Sequence, residues 1–128
     1  MLLLLPVHGL AAGAACVDLT AHVYFADGSS ELTREAKANL KLLQRTAKAC
    51  KIIAVKVIGL SGDPGDAAAN MKLSQDRAAI VGKDLEHRGF KAQDLVLSAL
   101  GDVDDQNAKG LERPMHRRVD ILVHLASR

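Results

Sequence analysis

A positive charge stands on what should be an apolar helical face. The stretch NMKLSQDRAAIVGKDL, Asn70 to Leu85, has helical periodicity. At about 100° per residue, with Leu73 as zero, Ile80 falls at about −20°, Val81 at about 80°, Leu85 at about 120° and Arg77 at about 40°. A guanidinium stays ionised, and burying it unpaired costs several kcal/mol. Arg77 must therefore meet a carboxylate, a set of carbonyls or an anionic ligand. Asp84, at about 20°, adds a second ionic residue to the arc and keeps open an internal ion pair or an arginine at the edge of the buried face.

Other chemistry-bearing residues form no comparable set. The five histidines, His8, His22, His87, His116 and His124, show neither H-x-x-x-H nor H-x-H spacing, so no metal site and no cofactor are expected. Asp102, Asp104 and Asn107 in GDVDDQN are placed like the first half of a calcium loop. The bidentate glutamate that would complete it is absent, which leaves a solvated acidic loop. Ser29, Ser30, Ser61 and Ser74 lie in no G-x-S-x-G elbow, and no nucleophile has a base beside it. The sequence offers no catalytic set, and no enzyme is expected.

The elements that must position Arg77 follow from periodicity and turn signals. VDLTAHVYFADG gives a strand from Val17 to Phe25, closed by an Asp-Gly turn. SSELTREAKANLKLLQRTAKA follows as a helix capped by Ser30, with Leu32, Ala36, Leu40, Leu43 and Ala47 as its inner stripe. KIIAVKVIGL is a second, central strand whose Ile53, Val55 and Val57 belong to the core with Leu40 and Leu43. The Gly/Pro loop SGDPGDAAA leads into the helix that carries Arg77, which stops at Gly89. DLVLSAL is a third strand, and GDVDDQNAKGLERPMH a long polar connection with room for one helical turn. RRVDILVHL is a final strand with Val119, Ile121 and Val123 on one face and Asp120 and His124 on the other. The order β-α-β-α-β-β implies an α+β fold, a mixed four-stranded sheet with helices packed on one face and a last strand free to run antiparallel.

At 128 residues the chain is one domain, assigned to residues 16–128. Hydrophobic residues make up 48% and charged residues 25%, which excludes a disordered chain. The 17 basic and 15 acidic residues are scattered, with no basic run interleaved with aromatics, so no nucleic-acid partner is expected. Residues 1–15, MLLLLPVHGLAAGAA, have the apolar and small-residue regions of a secretory signal peptide but no basic start. Cleavage after Ala14 satisfies the small-x-small rule, and cleavage after Ala15 would expose Cys16 to lipidation. A strand rising from Val17 and a helix returning to about Lys48 bring Cys16 and Cys50 to one end of the unit, which favours a disulfide in an exported chain.

With these elements placed, the chain resembles the OmpA-like, peptidoglycan-associated periplasmic domain family over nearly all of its length, from VYFADGSSEL to HRRVDILVHL. Asn70, Leu73, Ser74, Arg77, Ala78, Val81 and Leu85 fill the family pattern N-x-x-L-S-x-x-R-A-x-x-V-x-x-x-L. Phe25, Ser30, Leu32, Gly101 and the Arg117-Arg118-Val119 run match it elsewhere. The resemblance implies a noncatalytic module that anchors an envelope protein to the wall. It also implies a diaminopimelate group of the peptide stem held by an arginine at the position of Arg77 and by an aspartate. Arg77 would then take its carboxylate from the ligand.

Two acids depart from the pattern by one residue. Where the family has G-H-T-D-x-x-G this chain reads GLSGDPG, so Gly62 stands in the aspartate column and Asp63 follows it. In the first loop, FADG replaces F-x-F-D and puts Asp27 one place early. The expected peptidoglycan-binding set is Arg77, Asp63, Asn70, Ser61, Asp27 and Arg117, with Asn70 tying the loop to the helix and Ser74 structural. The implied place is the periplasm or envelope of a Gram-negative bacterium, associated with the outer membrane through a lipid or a partner protein. The alternative is a domain of the same fold that has lost peptidoglycan affinity and serves envelope proteins.

Overall fold

A computed structural model describes residues 16–102 and 113–128. The leader assigned to residues 1–15, and Asp104 and Asn107 of the acidic loop, lie outside the described residues. The elements are β1 (Leu19–Tyr24), α1 (Arg34–Ala47), β2 (Lys51–Ser61), α2 (Ala67–His87), β3 (Leu95–Asp102) and β4 (Arg118–Ala126). Short 3₁₀ turns at Ala92–Asp94 and Arg113–His116 precede β3 and β4.

The strands form one sheet in the order β1-β4-β2-β3. β2 and β3 are parallel, whereas β4 runs antiparallel to both its neighbours, so the mixed four-stranded sheet expected from the element order is present. Alternation along the strands turns Val23, Val55, Val57, Val119, Ile121 and Val123 inward. They pack with Leu40 and Leu43 of α1 and Val81 and Leu85 of α2 in one core. Full burial of each such side chain contributes roughly 1.5–3 kcal/mol. The opposite face carries His22, Lys56, Leu122 and His124 and is open to solvent. Among the described residues no helix is long and apolar enough to cross a membrane.

Three sequence expectations shift. Thr33, not Ser30, caps α1: its hydroxyl accepts from Ala36 N at 3.0 Å, and Leu32 packs on the core from outside the helix. Ile53 is 40% exposed, because a register shift between Ile52 and Ala54 breaks the alternation that would have turned it inward. The buried arc of α2 comprises Asn70, Ser74, Arg77, Ala78, Val81, Gly82 and Leu85. With Leu73 as zero it runs from about 40° to about 180°, which leaves Ile80, expected on the apolar face, outside it and exposed, and puts Arg77 at the arc's edge.

Close contact between α2 and β2 depends on Gly59. A β-carbon there would lie 2.0 Å from the carbonyl oxygen of Ser74, so only glycine lets the helix backbone approach the strand. Ser74 also bonds to β3, accepting from Gly101 N at 3.0 Å and donating to Met71 O at 2.8 Å, the structural role expected of it. These contacts fix α2 over the carboxyl ends of β2 and β3, where Arg77 projects.

The amino end of the sheet is closed covalently. Cys16 and Cys50 form a disulfide with Cα atoms 5.7 Å apart, as the layout of β1 and α1 implied. Arg128 donates to Lys48 O at 3.2 Å at the same end.

Candidate functional site

The loops that follow β1 and β2, and the segment that enters β4, converge at the carboxyl ends of the parallel strands. Gly65, at φ +136°, lets the β2–α2 loop turn after Pro64, and Asp66 caps α2 by accepting from Ala69 N at 2.8 Å. The loop is thereby folded back so that Asp63 faces α2.

Arg77 is fully buried and all five of its N–H donors are engaged within the protein. Nη1 donates to Asp63 Oδ1 at 2.7 Å and Leu60 O at 3.2 Å. Nη2 donates to Asp63 Oδ2 at 3.1 Å and Ala26 O at 3.2 Å, and Nε to Ser29 O at 2.8 Å. The guanidinium also lies 5.2 Å from the centroid of the Phe25 ring, within cation–π range. One side chain thus joins the β1–α1 loop to the β2–α2 loop. Of the partners left open for Arg77, the one present is an internal carboxylate, supplied in bidentate form by Asp63 rather than by Asp84.

The one-residue displacement of Asp63 from the family column does not keep it out of the site. Its Oδ2 also accepts from Gly28 N at 2.6 Å, and Ser61 Oγ lies 2.9 Å from Oδ1. Burial alone would raise the Asp63 pKa. The hydrogen bonds from Arg77, Gly28 and Ser61, together with the charge of Arg77, outweigh it and hold the carboxyl well below the usual range. Asn70 is buried as well, with Oδ1 2.5 Å from Ser61 Oγ and Nδ2 donating to Gly65 O at 3.5 Å, and so ties loop to helix. Ser61, Asp63, Asn70 and Arg77 therefore form a closed polar floor.

This floor has a pH dependence of fixed sign. A carboxyl whose native pKa is depressed contributes stability that is present above its unfolded value, about 3.9, and lost as pH falls toward the native one. Urea midpoints should stay level down to about pH 5 and drop below about pH 4, and Asp63→Asn should flatten that drop. An equally steep drop in the Asp63→Asn variant would place the acid sensitivity in other carboxyls.

Above the floor sit Arg117 and Asp27. Arg117 immediately precedes β4, between the ends of β1 and β2, and its carbonyl accepts from Phe25 N at 2.8 Å. Its Nε is buried, without a hydrogen-bond partner and 3.6 Å from Asp63 Oδ2. Its Nη2 lies 3.8 Å from Asp27 Oδ1, where the Asp27 side chain is 59% exposed and that of Arg117 20%. All six expected site residues thus gather at one end of the sheet. Ser61, Asp63, Asn70 and Arg77 are buried, Arg117 is partly buried and Asp27 is exposed.

Residues 24–118 match the profile of the OmpA family. The chain belongs to the OmpA family. Solved structures with the same fold include the OmpA-like domain of FopA1 from Francisella tularensis subsp. tularensis SCHU S4, at 22% identity and a TM-score of 0.71 over 86% of this chain and 77% of that one. The peptidoglycan-associated lipoprotein from Burkholderia pseudomallei is similar at 21% identity, TM-score 0.64, over 80% and 88% of the two chains. The cell wall anchor of the T6SS from Pseudomonas aeruginosa is similar at 23% identity, TM-score 0.65, over 85% and 82%. No curated protein matches the chain.

For an OmpA-family chain, the site holds contacts that residue patterns did not indicate. The carbonyls of Ala26 and Ser29, the Gly28 amide and the ring of Phe25 all serve the Arg77–Asp63 pair. Their signal in the sequence was the FADGSS turn itself, since a Gly-containing turn exposes backbone donors and acceptors toward whatever it wraps.

Proposed function

We propose that this end of the sheet binds the diaminopimelate-bearing peptide stem of peptidoglycan, and that the chain is a noncatalytic module holding the cell envelope to its wall. The observation that carries the proposal is the couple of the exposed Asp27 and the partly exposed Arg117 over a locked floor. The free end of diaminopimelate is a zwitterion, and an acid and a guanidinium a few ångströms apart match its ammonium and carboxylate. Arg117 would take the carboxylate and Asp27 the ammonium, while Asp63 and Arg77 hold the two loops at the right separation. Two structural relatives, a peptidoglycan-associated lipoprotein and a cell wall anchor, support this reading. A disulfide at the base fits the oxidising periplasm of a Gram-negative envelope.

A second reading, a protein-interaction module with weakened wall affinity, is favoured by one feature. Arg77 has no donor left for a ligand. Sedimentation with purified sacculi, with free diaminopimelate as competitor, separates the two. The wild-type chain should pellet and be released by the competitor. Arg117→Ala should weaken pelleting roughly tenfold to a hundredfold, the worth of a charged hydrogen bond of ~1.5–3 kcal/mol, with an unchanged thermal midpoint. Wild-type protein that stays in the supernatant at every sacculus concentration would hand the function to the second reading.

A further inference from the structure

We propose that the outward face of α1 docks on a bilayer surface of anionic phospholipid. Arg34, Lys37, Lys41, Arg45 and Lys48 are all exposed. At about 100° per residue they fall within an arc of about 80°, opposite the buried Ala36, Leu40, Leu43 and Ala47. Among the described residues none of the five makes an ion pair. Glu35, the one acid of α1, projects about 100° away from Arg34. A chain with 17 basic and 15 acidic residues has thus gathered five cations on one helix face without a counter-charge.

The nearby acid does not cancel the charge. Arg88 of the turn after α2 reaches Lys37 O at 3.4 Å, and its partner Asp84, 2.6 Å away, is occupied by it. Arg128 closes the basal end over Lys48 O.

Shape and composition select the partner. The stripe is convex and, over the 14 residues of α1, about 21 Å long. No aromatic side chain lies on α1 itself, and the exposed Tyr24 lines a groove with Asn39, Leu42 and Thr46 at the side of the stripe, so the cations are not interleaved with rings as a nucleic-acid surface requires. Leu42, 62% exposed, stands at about 80° from Arg34, beside the cations. Cations with a flanking apolar side chain on a convex helix fit a laterally mobile layer of phosphate headgroups, in which each anion can move to meet a charge. The stripe lies along the helix and leaves the Asp27–Arg117 end uncovered, so this contact does not depend on wall binding.

Co-sedimentation of the disulfide-bonded chain with phosphatidylcholine vesicles, and with vesicles containing phosphatidylglycerol, tests the proposal. Each basic residue near an anionic surface adds roughly a fivefold gain in partitioning. The wild-type chain should prefer the anionic vesicles at least tenfold at low salt and lose that preference at high salt. Lys37→Glu/Lys41→Glu/Arg45→Glu should abolish the preference, while Lys83→Glu/Lys91→Glu, charge changes away from the stripe, should leave most of it. Equal binding to both vesicle types overturns the proposal, as does an equal loss in the two variants. Salt-sensitive capture by sacculi, lost in the triple variant without any vesicle binding, would assign the stripe to the wall polymer instead.

Discussion

Arg77→Ala is expected to destabilise the domain by about 3–5 kcal/mol, the usual cost of removing one partner of a buried ion pair. The loss has a specific origin. Asp63 would remain buried between Gly28 and Ser61 without the charge that holds its carboxylate ionised, and the carbonyls of Ala26, Ser29 and Leu60 would lose their donor. Asp63→Leu should likewise be costly, since it strands the guanidinium. The double variant Arg77→Met/Asp63→Leu should recover part of the stability, because neither member of the pair is left behind as a buried charge, and Arg117 keeps Asp27 as its carboxylate. Urea unfolding of the four proteins measures the coupling directly. Additive losses would mean that the two side chains act independently, contrary to the bidentate geometry.

Replacing both cysteines by serine is expected to cost roughly 3–4 kcal/mol, from the entropy regained by the unfolded chain when a long loop is opened. Here the bridge spans 34 positions and encloses β1, α1 and the loop that carries Asp27. The effect should appear as a lower urea midpoint in the double serine variant and as an equal fall on reduction of the wild-type protein. A wild-type midpoint indifferent to reductant would show that the amino-terminal strand is held by its pairing with β4 alone.

Much of the fold was legible because its elements repeat simple periods. The alternation of Val119, Ile121 and Val123, the stripe of Ala36, Leu40, Leu43 and Ala47, and the stop at Gly89 all survive in the structure. Local exceptions were not legible. The register shift beside Ile53 depends on pairing with a strand far away in the chain, and Thr33 displaced Ser30 as cap because the loop before α1 is used to wrap Arg77.

The nearness of the candidate residues to one another was legible, but their wiring was not. Periodicity placed Arg77 within a buried arc, and the same six residues gather around it. Which carboxylate meets which cation depends on how far the Pro64-Gly65 turn folds back, and no spacing rule fixes that. The basic face of α1 is hidden in the linear sequence for a different reason: its five charges are three to four residues apart with other residues between them, so they form a stripe only once the helix is wound.

The Cys16–Cys50 bridge also determines how tension would travel through the domain. β1 is an edge strand hydrogen-bonded only to β4, over the six residues from Leu19 to Tyr24. A pull applied at the amino end of β1 would otherwise bear on that one ladder. The bridge diverts it to Cys50, at the foot of β2, which is held by β4 on one side and β3 on the other. β2 then runs 11 residues, about 36 Å at the usual rise, straight to Ser61 beside Asp63. Cys16 and the loop that carries Asp63 are thereby joined by a single central strand loaded in shear, with no helix or flexible connection in the path.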